Sequence, residues 1–205
     1  NKSAGQSFSF DNNFTLNGPT NSTEKALELI SGKLVLNDAN IDVTLSSGGA
    51  NFEIPAAAEL NAASSATVRV SGNNTGIYLD GKITAGSGSI WYINGGTNNY
   101  IQYSSSGSAI IDIEDAEFYV GSQIRRSAIT EDGILSFNQN NAASTVVIGT
   151  NANDGGETAR GIFELVNAGS EFVQADNAIL TIANGVTNAT AASFYLDIDA
   201  TDVTL

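Results

Sequence analysis

The chain has 205 residues, 41% of them hydrophobic and only 15% charged, so a core is easily built and the surface must be largely uncharged polar. Its 22 acidic and 8 basic residues give a net charge of −14, which repels nucleic acid phosphates and anionic membrane surfaces. The sequence contains no Cys, Met or His, which removes disulfides, thiolate and imidazole metal ligands, and nearly all nucleophile–histidine chemistry.

Residues 1–30 read as an N-terminal strand or cap segment. They carry the alternating runs Phe8-Ser-Phe10 and Phe14-Thr-Leu16, with neither a basic leader nor an apolar h-region, so the piece reads as mature or excised. The stretch 23–30 has a helical flavour, but Leu27 and Leu29 also share one face of a strand, and a strand is predicted there.

From residue 31 to residue 205 the pattern becomes uniform. Short runs with apolar and polar residues alternating predict strands at 34–36, 41–45, 52–54, 68–70, 77–79, 101–103 and 111–113. The series continues at 118–120, 135–137, 146–148, 163–165, 180–182, 196–198 and 203–205. Between the runs lie Ser-Gly-Gly, Gly-Asn-Asn, Gly-Ser-Gly and Asn-Gly-Gly, which turn the chain at little steric cost. The spacing is too short for helical crossovers.

Gly32, Gly81, Gly133 and Gly161 each open a strand, at separations that fit multiples of a unit of about 25 residues. Such a unit, containing only strands and turns, predicts an all-β fold: a right-handed parallel β-helix, or β-solenoid, stacking at about 4.8 Å per coil. Inward residues would form a continuous apolar interior, and Asn at equivalent turns would hydrogen-bond coil to coil. An antiparallel β-sandwich or jelly roll has the same local signature and is the alternative. The chain stops on an alternating strand without a polar cap, which predicts continuation in a longer parent chain or cover by another subunit.

The phrases Ala26-Leu-Glu-Leu-Ile-Ser-Gly-Lys-Leu-Val-Leu-Asn37, Phe163-Glu-Leu-Val-Asn-Ala-Gly-Ser-Glu-Phe172 and Ala178-Ile-Leu-Thr-Ile-Ala-Asn-Gly185 resemble the strand repeats of giant bacterial surface adhesins and autotransporter passengers. The likeness is one of pattern and composition over most of residues 26–205. It implies export to an extracellular or bacterial cell-surface location and a role as stalk or adhesive fibre.

Two sets of side chains stand out. Asp112, Glu114, Asp115 and Glu117, and separately Asp197, Asp199 and Asp202, are candidate calcium ligands, because alternation puts Asp112 with Glu114 and Asp197 with Asp199 on common faces. Neither set matches an EF-hand or a glycine-aspartate nonapeptide, no other cofactor is indicated, and a solvated strand face is the ordinary explanation of both. Tyr78, Trp91, Tyr92, Tyr100 and Tyr103 are candidate glycan contacts if they form an outward row, since aromatic faces stack on sugar rings. Four sequons, at Asn13, Asn21, Asn73 and Asn188, permit glycosylation but are no more than chance provides.

Three functions follow as expectations. The first is a non-catalytic structural or adhesive surface protein, with self-association, other envelope proteins and glycans as partners, and without nucleic acid binding or membrane insertion. The second is a glycan-degrading β-helix enzyme resembling polysaccharide lyases, with its groove at Asp112 to Glu117 and Arg125 and Arg126 nearby. Arg is a poor base, which counts against it. The third is a filament subunit that donates a strand from residues 1–18.

Overall fold

The computed structural model describes residues 5–17, 27–37, 40–44, 52–151, 161–183, 196–198 and 202–204, and these contain strands and turns but no helix. They wind into three parallel sheets that form the walls of a β-solenoid with about 26 residues per coil. The first wall stacks β1 (Ser7–Phe10), β3 (Gly32–Asn37), β6 (Ala58–Ala63), β9 (Lys82–Ala85), β12 (Ser108–Ile113), β15 (Ile134–Gln139), β18 (Glu171–Gln174) and β21 (Asp202–Thr204). The second stacks β2 (Phe14–Asn17), β4 (Asn40–Thr44), β7 (Thr67–Ser71), β10 (Ile90–Ile93), β13 (Glu117–Val120), β16 (Thr145–Ile148) and β19 (Ile179–Ile182). The third stacks β5 (Phe52–Ile54), β8 (Gly76–Leu79), β11 (Tyr100–Tyr103), β14 (Ile124–Arg126), β17 (Phe163–Leu165) and β20 (Leu196–Ile198).

Alternation explains why these segments stack. In β6, Ala58, Leu60 and Ala62 are buried while Glu59, Asn61 and Ala63 are half-buried, so one face has been withdrawn from water. Pairing in register then lays like upon like, and Leu34, Leu60, Ile83, Ile111, Phe137 and Phe172 form one inward column of the first wall. Val68, Trp91, Phe118 and Val146 do so in the second wall, and Phe52, Ile77, Ile101, Ile124 and Phe163 in the third. All of these are buried. Each fully buried side chain of this size contributes about 1.5–3 kcal/mol relative to exposure.

Coil corners impose a second requirement, close approach of backbone to backbone. A Cβ on Gly81 would lie 2.3 Å from the carbonyl oxygens of both Ala58 and Pro55, so only glycine passes that corner. At the corner between the second and third walls, Asn74 and Asn98 take left-handed φ values of 53° and 51°, and Asn98 Nδ2 donates to Asn74 Oδ1 at 3.1 Å. Ser122 Oγ extends the ladder by donating to Asn98 Oδ1 at 3.0 Å. This is the coil-to-coil bonding expected of asparagine at equivalent turns.

Every strand pairing is parallel among the described residues, which excludes the antiparallel sandwich and jelly roll. The strands β1 and β2 pair with β3 and β4 of the same chain, so residues 7–17 already belong to the stacked walls. Of the strand expected at 23–30, residues 23–26 lie outside the described residues, and 27–30 contribute only a bridge between Glu28 and Glu53. No helix among the described residues is long and apolar enough to cross a membrane.

Candidate ligand cleft

The outer face of the third wall carries a concavity that crosses several coils. Phe52 and Ile54, Ile77 and Leu79, and Ile101 and Tyr103 point inward, so the residues between them, Glu53, Tyr78 and Gln102, face out on successive coils. Register aligns them side by side, Glu53 against Tyr78, Tyr78 against Gln102, and Gln102 against Arg125. Immediately after β5, β8, β11 and β14 come Pro55, Asp80, Ser104 and Ser127, which form a parallel column at the corner. The two columns flank a cleft of about 450 Å³, with Ile54 and Tyr103 also in its lining. That volume lies in the range of small-ligand sites.

Its polar groups are held by their neighbours. Arg125, 2% exposed, lies over the Tyr100 ring with its guanidinium carbon 4.1 Å from the centroid. It donates from Nε and Nη2 to Gln102 Oε1, both at 3.3 Å, and from Nη1 to Gln123 Oε1 at 2.5 Å. The ring face and the amide oxygens thus solvate a cation taken from water. Asp80 Oδ1 accepts from the Ser104 backbone N–H at 3.0 Å and from Ser104 Oγ at 2.8 Å. Below, Tyr103 donates its hydroxyl to the Glu164 carbonyl at 2.6 Å, and the buried Glu164 carboxylate accepts from Arg126 Nε at 3.2 Å and from the Gly161 N–H at 2.9 Å.

The five aromatic candidates do not share an outward row. Trp91 is fully buried and packs on Phe118 with centroids 5.6 Å apart, and Tyr103 is 1% exposed, so both belong to the interior. The cause is parity: Trp91 shares a strand face with Ile93, and Tyr103 shares one with Ile101. Tyr100 is buried beneath Arg125. Tyr78 and Tyr92 remain half-exposed, on different walls. Tyr92 stacks on Tyr119, and Arg69 lies over its other neighbour position, 5.3 Å from the ring centroid.

The acidic residues are spread over coils and corners. Asp112 forms an ion pair with Lys82 at 2.5 Å and accepts from Asn138 Nδ2 at 2.8 Å. Glu114 accepts from Asn140 at 3.5 Å, Glu117 accepts from the Tyr119 hydroxyl at 2.8 Å, and Asp115 is exposed. Among the described residues no group of three or more carboxylates is placed to hold a metal ion. Asp199 lies outside the described residues, whereas Asp197 and Asp202 fall on β20 and β21.

Carboxylates elsewhere are tuned toward ionisation. Burial raises the Glu59 carboxyl, but hydrogen bonds from Lys33, Thr84 and Asn61 and the Lys33 charge outweigh it and hold the group below its ordinary range. Hydrogen bonds from the Ser105 hydroxyl and backbone likewise lower Glu131. A general acid requires the opposite shift. The sequence did not reveal the cleft, although the polar residues Asp80, Ser104 and Ser127 directly after β8, β11 and β14 were a visible signal.

Set against protein-family models, curated proteins and solved structures, the chain matches none of them.

Proposed function

We propose that the chain is a non-catalytic segment of a bacterial cell-surface solenoid, acting as stalk or adhesive wall. The observation that carries this reading is the lateral tying of outward groups from coil to coil. Lys33 holds Glu59 at 2.9 Å and Thr84 donates to the same carboxylate at 2.8 Å, while Lys82 and Asn138 both engage Asp112. Side chains committed to one another in this way stiffen a wall and are poorly disposed to turn over a substrate. The same pairing weakens the lyase alternative, because Asp112 is neutralised by Lys82 and accepts from Asn138.

Labelling of intact producing cells with an antibody against the chain, together with chromatography of neutral and acidic polysaccharides incubated with it, tests the proposal. Surface label without chain cleavage is expected. Label that appears only after lysis, or shortened polysaccharide, would overturn it.

A further inference from the structure

We infer that the third-wall cleft binds a neutral oligosaccharide, with Tyr78 as its stacking platform, Gln102 as hydrogen-bond donor and Asp80 as acceptor. This names the ligand class of the adhesive reading above and rests on that reading only for the expectation that binding occurs without cleavage.

The decisive group is the Gln102 amide. The side chain is 7% exposed, yet only its Oε1 is engaged, by two donors of Arg125. Those donors fix the orientation of the amide, because turning it over would set N–H against N–H. Nε2 is thereby the end turned from Arg125 in a residue that lines the cleft, and it donates to no described residue. That N–H₂ opens to the water of the cleft, where a ligand oxygen can take the place of solvent as its acceptor.

Asp80 supplies the complement. Both Ser104 bonds fall on Oδ1, and Oδ2 accepts from no described residue, so one carboxylate oxygen is free to accept a hydrogen bond from a sugar hydroxyl. Tyr78 is the residue in register with Gln102 and is half-buried, presenting an aromatic face and a hydroxyl that bonds no described residue. A fixed donor, a fixed acceptor and a ring match adjacent sugar hydroxyls over the apolar C–H face of a pyranose.

Charge selects among sugars. The lining includes the carboxylates of Glu53 and Asp80 and no Lys or Arg, so uronates, sulfates and phosphates meet like charge there. The neutral class is favoured.

Calorimetric titration of the folded chain with neutral tetrasaccharides of glucose, mannose, galactose and N-acetylglucosamine, with tetragalacturonate as the anionic counterpart, tests this. At least one neutral sugar should bind and tetragalacturonate should not. Tyr78→Ala, Gln102→Glu and Asp80→Asn should each weaken binding about tenfold. Gln102→Glu keeps an acceptor for Arg125, and Asp80→Asn keeps one for Ser104, so both should fold and unfold cooperatively. Binding of no neutral sugar, equal binding of the uronate, or unchanged affinity in folded Gln102→Glu and Asp80→Asn variants would overturn the inference. Binding accompanied by release of shorter fragments would uphold the cleft and overturn the non-catalytic reading. Surface location without sugar binding would do the reverse.

Discussion

Tyr92 and Tyr119 stack across neighbouring coils with ring centroids 5.4 Å apart and planes 7° from parallel. Their strands pair in register, so the spacing of the sheet itself sets the separation of the rings. Arg69, in register with Tyr92 on the other side, extends the column. A double-mutant cycle on Tyr92→Ala and Tyr119→Ala, followed by denaturant unfolding, should give a coupling energy of about 0.5–1.5 kcal/mol. Simple additivity would show that the stack contributes only its separate burials.

The Tyr119 phenol donates to Glu117, and that hydrogen bond, with burial and the Glu117 charge, pushes its pKa up to about 12. A phenol whose folded value exceeds its unfolded value of 10.0 adds stability that is fully present below that value. The contribution is lost as pH rises from about 10 to about 12. Absorbance titration of the chain against its Tyr119→Phe variant should isolate a late-ionising phenol at Tyr119, and Glu117→Gln should move it back toward the ordinary value.

For Glu59 the sign is opposite. Its carboxyl is held below the ordinary range, so its stabilising effect is present above the unfolded value of 4.5 and disappears as pH falls through the folded one. Side-chain NMR titration should find its midpoint below 4.5, and Lys33→Met should raise it. A midpoint insensitive to Lys33 would show that the 2.9 Å pair does not persist in solution.

Phe137 lies where the interior is widest in aromatic content, 5.0 Å from Phe163 and 5.9 Å from Phe172 between ring centroids. Phe137→Ala should cost about 3–5 kcal/mol, because walls held by hydrogen-bonded ladders cannot collapse into the void. Phe8→Ala, at a ring 49% exposed, should cost far less when both are compared by chemical denaturation.

Glu164 is fully buried and accepts from Arg126 through both the backbone N–H at 3.1 Å and Nε at 3.2 Å. Arg126 keeps the carbonyls of Ile129 and Glu131 as acceptors, so Glu164→Gln should destabilise by about 1–3 kcal/mol. A midpoint close to that of the unaltered chain would show that water reaches Arg126 and replaces the carboxylate.

Much of the architecture was written in parity. Residues 111–113 and 135–137 alternate so plainly that strand, inward face and stacking all followed, and β12 and β15 stand there. β10 was less visible, since Ile-Trp-Tyr-Ile has no polar residue to mark the outward side. The same parity rule nevertheless paired Trp91 with Ile93 and turned it inward. The cleft was hidden for a different reason. Tyr78 and Gln102 are neighbours only through the register of β8 with β11, and Asp80 meets Ser104 only across a coil corner. Such adjacency depends on the length of each intervening turn, which composition does not specify. The pinning of Gln102 by Arg125 is likewise a tertiary fact.

Because each strand is bonded only to the strands directly before and after it in its own wall, a coil is an exchangeable part. A duplication or loss of one whole coil leaves every remaining rung with a compatible neighbour and alters the span by about 4.8 Å. Reach is therefore a heritable quantity that changes in even increments, and lineages carrying such a protein can lengthen or shorten it without redesigning its sides.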